Sequence, residues 1–312
     1  MALSIVEFFG LAPLDCVADP WIQALKCPFV DADCIKPKHG ACTLTQRSGD
    51  PVICCPNRLY AEDFKVLKEI AEETFGGGVQ LLLAAEISPR LQNGQMSGQE
   101  VVVFGRYWGH ELPLPRPPGA GQGESKKYYV DWILAKLDRQ GQVMEFTAVE
   151  VQTIDTTGNY SVQAQKLFAG QPYVDSKGRD PGFSDAGLNW ENVNKRILPQ
   201  LIYKGHVLRR ENKCRSGLYF VCPTQVYGRI RDRLGGNLHE YRPGNGTITF
   251  RSYELGPKLE NGTHRSLVFS GQFTTTVDQV ALAFTSPMNL PNQDVYEAAI
   301  TQALGRASAT RR

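Results

Sequence analysis

The sequence predicts an α/β fold, a mixed central β-sheet flanked by helices, preceded by an irregular cysteine-rich segment that binds a metal. Three observations predict it. Strand-like and helical stretches follow one another without strict alternation, which suits a mixed sheet. Five of the eight cysteines fall between Cys27 and Cys55, in a stretch rich in Pro, Lys and Asp that shows little periodicity. The 312 residues are 42% hydrophobic and 21% charged, enough to bury a substantial core and too ordinary a mixture for disorder. The expected organisation is a metal-stapled segment over 1–60, a main domain over 61–306 and a disordered tail at 307–312.

After the cysteine-rich segment, residues 61–75 carry Phe64, Leu67, Ile70, Ala71 and Phe75 at helical spacing. Glu62 and Asp63 suit the start of that helix, and Gly76 to Gly78 end it. Residues 79–87 and 100–108 are rich in Val, Leu and Phe and read as strands. A Pro/Gly loop covers 113–123. Residues 128–137 and 143–154 read as two strands joined by a turn at Gln140 and Gly141, and 170–186 as a Gly- and Asp-rich loop. Over 188–208, Val193, Ile197, Leu198, Leu201 and Ile202 have helical spacing, with Pro199 forcing a kink or break. A strand at 217–221, a helix at 224–234, strands at 247–255 and 266–275 and a helix at 293–304 complete the chain, and 306–312 is expected to fray. No internal repeat is visible.

The formal net charge of +2 and pI near 8.1 do not by themselves announce a nucleic-acid partner. The distribution says more. Between Arg196 and Arg233 nine basic residues face only Glu211 and Asp232. Such a segment can neutralise phosphates, although a solvated helix face has the same composition. No run of about 18 apolar residues exists to span a membrane. The first residues lack a cationic start and a sustained apolar run, so a cytoplasmic protein is expected, where disulfides are rare.

The sharpest local feature is Asp131, then a turn, then Glu150-Val151-Gln152. On a strand, residues two apart share a face, so Glu150 and Gln152 point together while Val149 and Val151 point into the opposite, apolar face. If the preceding strand pairs with this one, Asp131 lies beside Glu150. Two carboxylates brought together are costly unless a cation sits between them. Mg²⁺ suits such a site, with one or two carboxylates, a backbone carbonyl such as that of Val151, and retained waters. The metal would activate a water and offset charge on a phosphate. This is the PD-(D/E)XK nuclease pattern with Gln in place of Lys. Gln152 can orient a water but neither takes its proton nor supplies charge. A hairpin with polar residues on its wet face gives the same pattern.

Cys27, Cys34, Cys42 and Cys55 are spaced C-x6-C-x7-C-x12-C, unlike the CxxC pairs of common zinc ribbons. Four thiols in a short irregular segment suit a tetrahedral structural site for Zn²⁺ or iron. The alternative is buried free cysteines. Sequence alone does not decide between Cys54 and Cys55. Cys16, Cys214 and Cys222 are isolated and read as core residues.

These features occur in a recognisable order, and over about 5–225 the chain resembles the NotI family of restriction endonucleases. The similarity runs through Val6-Glu7-Phe8-Phe9-Gly10, Cys27-Pro28-Phe29, Cys34-Ile35-Lys36, Gly40-Ala41-Cys42 and Cys55-Pro56-Asn57-Arg58. It continues through Asp131-Trp132-Ile133-Leu134-Ala135 and Val149-Glu150-Val151-Gln152-Thr153. The resemblance implies that Cys27, Cys34, Cys42 and Cys55 hold a structural iron, the family having an apolar residue where Cys54 stands. It implies that Asp131, Glu150 and Gln152 form the active site. A Gly-Glu-Leu element of the family resembles His110-Glu111-Leu112, which makes Glu111 a further acid near the metal. It further implies a type II enzyme: a homodimer cutting both strands of a GC-rich palindrome with Mg²⁺, with a cognate DNA methyltransferase in the same cell. Arg209, Arg210, Arg229 and Arg231 are candidates to contact DNA, as are Asn189, Asn192 and Asn194. Two other readings remain open: a nuclease of repair or of modified DNA, and a non-catalytic DNA-binding protein with a Cys₄ metal.

Overall fold

The computed structural model describes all residues except 1, 15–19, 37–39, 115–128, 181, 259–261, 287–291 and 310–312. Cys16, most of the loop expected at 113–123 and the last residues of the expected tail lie outside the described residues.

The N-terminal segment supplies β1 (Leu3–Phe8), β2 (Ala41–Gln46) and β3 (Val52–Ile53), an antiparallel sheet in the order β1-β2-β3. A turn of 3-10 helix at Pro56–Tyr60 leads into α1 (Ala61–Phe75). The main sheet has seven strands: β4 (Gln80–Leu82), β5 (Glu100–Gly105), β6 (Trp132–Leu137), β7 (Val143–Val151), β8 (Cys214–Pro223), β9 (Thr247–Leu255) and β10 (Leu267–Thr276). Their order across the sheet is β10-β9-β8-β7-β6-β5-β4. β7, β8 and β9 run parallel, while β6 and β10 are antiparallel to their inner neighbours, so the sheet is mixed as expected.

The α-helices that follow α1 are α2 (Ile87–Gln92), α3 (Ser161–Phe168), α4 (Leu198–Leu208), α5 (Thr224–Leu234), α6 (Val277–Thr285) and α7 (Val295–Ala309). The central strands are covered on both faces, which is why they read as nearly continuous apolar runs. Ala148, Leu218, Phe220, Ile248 and Phe250 pack with residues of α3, α4, α5 and α6. Val149, Val151, Tyr219, Val221 and Tyr253 share a second core with α1.

The N-terminal segment contributes to both cores: Leu3, Ile5 and Phe8 to the first, Cys27, Phe29 and Cys55 to the second. It is tied to the main domain where β8 ends and α5 begins, through Gln225, whose amide donates to the Pro51 carbonyl at 3.1 Å. Arg58 likewise donates to the Arg265 carbonyl at 2.6 Å. This segment therefore packs around the sheet end at which β7 and β8 terminate.

Several elements depart from expectation, each for a local reason. The strand expected over 79–87 stops at Leu82, because Leu83 N–H is captured by the Glu86 carboxylate at 2.8 Å and a helical turn follows. The strand expected over 100–108 stops at Gly105, where a Cβ would lie 2.2 Å from the Trp132 ring. In α1, Glu62, Asp63 and Phe64 have φ between 54° and 59°, so regular helix starts only after Phe64. The expected helix over 188–208 is a π turn at Val193–Ile197 followed by α4, with Pro199 in the first turn, where its missing N–H costs nothing. Helix α6 was not expected; the Thr276 hydroxyl caps it by accepting from Gln279 N–H at 3.2 Å. α7 continues to Ala309, into the stretch expected to fray. Among the described residues no helix is long and apolar enough to cross a membrane.

Candidate active site

The site begins with a hairpin. Asp138 folds the turn between β6 and β7, its carboxylate accepting N–H bonds from Gln140 at 2.9 Å and Gln142 at 2.8 Å, with Gly141 in the left-handed region at φ 75°. The register that follows pairs Trp132 with Val149. Asp131 stands one residue beyond that pair, across from Glu150. Its Oδ2 accepts the Val151 N–H at 2.8 Å, which fixes the carboxylate at the strand end.

Glu150 is 6% exposed. Its Oε1 lies 2.5 Å from Lys204 Nζ, and that ion pair is almost wholly removed from water, with side chains 7% and 8% exposed. Its Oε2 is buried and has no hydrogen-bond partner. Burial and then the neighbouring Asp131 hold the Glu150 carboxyl above the usual carboxylate range, against the pull of Lys204. Asp131 is raised as well, by burial first and by Glu111 more weakly; the Val151 N–H, Lys204 and Arg106 oppose the shift. Glu111 is exposed on the loop after β5 and its charge is felt at Asp131. Gln152 is half-buried, and its side-chain amide donates to the Thr153 carbonyl at 3.2 Å while its backbone N–H donates to Val221 at 3.0 Å.

Lys204 was counted in the sequence only as one of nine basic residues. Its position carried a sharper signal. Leu198, Leu201, Lys204, Gly205 and Leu208 form the buried stripe of α4, so a lysine occupies an apolar position. A charge there needs a buried partner, and Glu150 supplies it.

Behind the carboxylates, the Tyr60 hydroxyl accepts from Trp132 Nε1 at 3.0 Å. Burial, and secondarily Asp131, push the Tyr60 phenol well above its ordinary value, so it stays neutral. Tyr60 ends the same short helix that carries Asn57 and Arg58, which links the cysteine-rich segment to the site.

The donor set suits a hard divalent ion: two adjoining carboxylates, each raised by burial, with one buried oxygen unpartnered. Among the described residues no group of three or more His, Cys, Asp or Glu side chains stands ready to hold a metal. Mg²⁺ needs only one or two carboxylates, so this finding bears chiefly on the cysteines.

Those cysteines are neighbours. The Cys42 thiol donates to the Gly40 carbonyl at 3.8 Å, and its interaction with Cys55 raises Cys42 and lowers Cys55. Cys27 receives N–H bonds from Phe29 and Val30 and one from Asn57 Nδ2 at 3.7 Å. Cys34 accepts from Lys36 N–H at 3.4 Å, and burial pushes it up to about 11. N–H groups converging on sulfur favour thiolate, the form that binds a metal, while burial opposes it and holds Cys27, Cys34 and Cys42 up; the four neighbours have the chemistry for a soft ion but are not closed into a coordination group. Cys54 instead turns its thiol to the Ala41 and Cys42 carbonyls. All seven described cysteines are free, and Cys214 and Cys222 are buried core residues.

The candidate DNA contacts are dispersed. Asn192 Nδ2 and Arg196 Nη1 both reach Asp155 Oδ2, at 2.8 and 3.3 Å, in an open cleft of about 710 Å³ that begins three residues past Gln152. Asn189 lines the same cleft, and Asn194 has a buried, unpartnered Oδ1. Arg229 stacks on Trp190 and Arg231 on Tyr227. Arg209, paired with Asp278, and Arg210 precede β8, whose first residue pairs with Phe146. That is the opposite end of β7 from Glu150 and Val151, on the order of 15 Å away at the rise of a strand.

A family model described as "Restriction endonuclease NotI" matches residues 114–219, about a third of the chain. The matched stretch holds Asp131, Glu150, Gln152 and Lys204 together. No curated protein matches the chain.

Proposed function

We propose, on the match of residues 114–219 to the NotI restriction endonuclease model, that the chain is a type II enzyme that hydrolyses DNA and that Asp131, Glu150 and the Val151 carbonyl hold Mg²⁺. The observation that carries the reading is a buried Glu150 beside a half-buried Asp131, with Glu150 Oε2 left without a partner. Such an oxygen is costly unless a ligand satisfies it. When bound, the ion would lower the pKa of a water and offset negative charge at the scissile phosphate.

The chain's own residues do the rest. Asp131 is aimed by the Val151 N–H. Glu111 adds negative charge at the open side of the pair. Gln152, two residues past Glu150, offers both an amide donor and a carbonyl acceptor to a water, and it orients that water without taking its proton. Burial on the Tyr60 and Trp132 side keeps bulk water from the back of the site.

DNA runs past the cleft of Asp155, Asn192 and Arg196, with Arg229 and Arg231 as further candidates for phosphates or guanine edges. The substrate is a GC-rich palindrome read by a homodimer, which matches a two-fold protein to a two-fold site. A DNA methyltransferase of the same specificity protects the host. Cys27, Cys34, Cys42 and Cys55 hold iron or zinc as a structural staple.

Asp131→Asn and Glu150→Ala are expected to lower cleavage roughly a thousandfold or more, the scale of removing a principal electrostatic group, while DNA binding in a gel-shift assay persists. Full cutting by either variant in Mg²⁺ would refute the assignment. Elemental analysis is expected to give about one iron or zinc per folded chain; correctly folded protein free of both would refute the staple.

A further inference from the structure

Lys204 stands where a divalent cation would have to approach. Its ammonium is 2.5 Å from Glu150 Oε1, and neither side chain is more than 8% exposed. Its charge is also felt by Asp131. The cluster thus contains two carboxylates and one ammonium, and the ammonium occupies one of the two Glu150 oxygens. A metal drawn to these carboxylates meets a like charge already in contact with one of them.

The ammonium and the backbone differ in their freedom to respond. Gly205 packs so closely on Val277 that a Cβ there would lie 2.6 Å from Cγ2, so α4 has no room to shift toward α6. The lysine stem, by contrast, has four rotatable bonds and a compact, mobile charge. The strand that carries Glu150 is paired on both sides and cannot withdraw either.

We propose that Lys204 is a place-holding cation: it neutralises Glu150 until a divalent ion displaces it, and it thereby sets the metal affinity of the site. This assigns Lys204 as a positioning residue acting through Glu150. It supplies the positive charge that a glutamine at 152 cannot. The inference rests on the reading of Asp131 and Glu150 as the metal-holding pair.

The test is calorimetric titration of Ca²⁺ into the full chain without DNA, comparing the unmodified protein with Lys204→Met and Glu150→Gln. Ca²⁺ is a hard cation that favours oxygen over the thiols of the cysteine cluster. Lys204→Met is expected to bind about tenfold or more tightly, the scale of removing a like charge a few ångströms away at a protein's effective dielectric. Glu150→Gln is expected to lose the site.

A second measurement uses the unmodified protein. Reductive methylation read by peptide mass spectrometry is expected to label Lys204 slowly without Ca²⁺ and several-fold faster with it. The exposed Lys195 should label at one rate throughout. Ca²⁺ binding that needs Glu150 but is no tighter in Lys204→Met overturns the inference alone. If that variant does not fold, unchanged labelling of Lys204 at saturating Ca²⁺ overturns it. Absence of any Glu150-dependent Ca²⁺ binding overturns the metal reading and the inference with it.

Discussion

Among the described residues two acid–base pairs are buried at both partners, and they are built differently. Glu7 and Arg58 are 1% and 0% exposed. Both Glu7 oxygens are used: Oε2 accepts from Arg58 Nε at 3.0 Å and from the Thr43 hydroxyl at 2.5 Å, and Oε1 accepts from Arg58 Nη2 at 3.1 Å. Arg58 also donates to the Arg265 carbonyl and lies over the Phe29 ring, 4.8 Å from its centroid. Its Nη1 is the one nitrogen without a hydrogen-bond partner. Glu150 and Lys204 are buried nearly as deeply, yet that carboxylate has one partner, a free oxygen and a second carboxylate beside it. The first pair is bidentate, planar and saturated at the acid, which is what a structural pair needs to recover its desolvation cost. The second is left open on the side where charge repels charge. An open buried acid is tolerated where a ligand completes it, which is the part the proposed metal would play at Glu150.

The sharpest way to break this contrast is to remove one partner from each pair. Arg58→Ala leaves Glu7 bare in a site that nothing else can neutralise, and roughly 3–5 kcal/mol of stability should be lost. Glu150→Gln takes the carboxylate from a buried Lys204 but keeps a carbonyl acceptor for it, ends the repulsion with Asp131 and leaves Asp131 as a counter-charge, so its loss should be clearly smaller than that of Arg58→Ala. Urea denaturation of the two variants measures the difference. Equal losses would mean that the two pairs do the same job.

The two regions are joined by Tyr60, two residues past Arg58 and in contact with Trp132, the neighbour of Asp131. Tyr60→Phe preserves the ring and its edge-on packing against Trp132. It leaves the buried indole N–H without an acceptor, a loss of about 1–3 kcal/mol. Cleavage should fall as well if this joint sets the position of Asp131. A variant that loses stability but cuts at the original rate would confine Tyr60 to the scaffold.

How much of this was readable beforehand follows from what each feature depends on. The helix at 224–234 and the strand at 247–255 were read to the residue, because their periodicity and flanking breakers are local. The pairing of Asp131 with Glu150 followed from strand parity and one turn, both short-range. Lys204 lies 54 residues from Glu150, and only the packing of α4 on the sheet brings them together. Its place on an apolar stripe is local, but the charge-rich stretch around it masks that place. Helix α6 carries a cap in Thr276 and an acidic first turn in Asp278, a signal concealed by the strand that runs directly into it. The Glu7–Arg58 pair joins residues 51 apart, and no local pattern marks either as buried.

The smallest expected effect concerns a third acid, Asp175, which organises the loop between α3 and the π turn. Its carboxylate accepts from the Arg179 side chain and from the backbone N–H groups of Lys177, Arg179 and Phe183. The Arg179 side chain is the main cause that holds its carboxyl well below the usual carboxylate range. A folded value below the unfolded one, about 3.9 for Asp, means that the folded chain gives up this proton first. The stabilisation is complete above the unfolded value and disappears as pH falls through the folded one. Asp175→Asn should therefore speed proteolysis of the loop at neutral pH, and the gap from the unmodified protein should narrow below about pH 4. A gap that widened on acidification would reverse the sign and remove the carboxylate as its cause. Like Glu7, Asp175 has partners on both oxygens, so its loss should loosen a loop and leave the metal affinity of the open site unchanged.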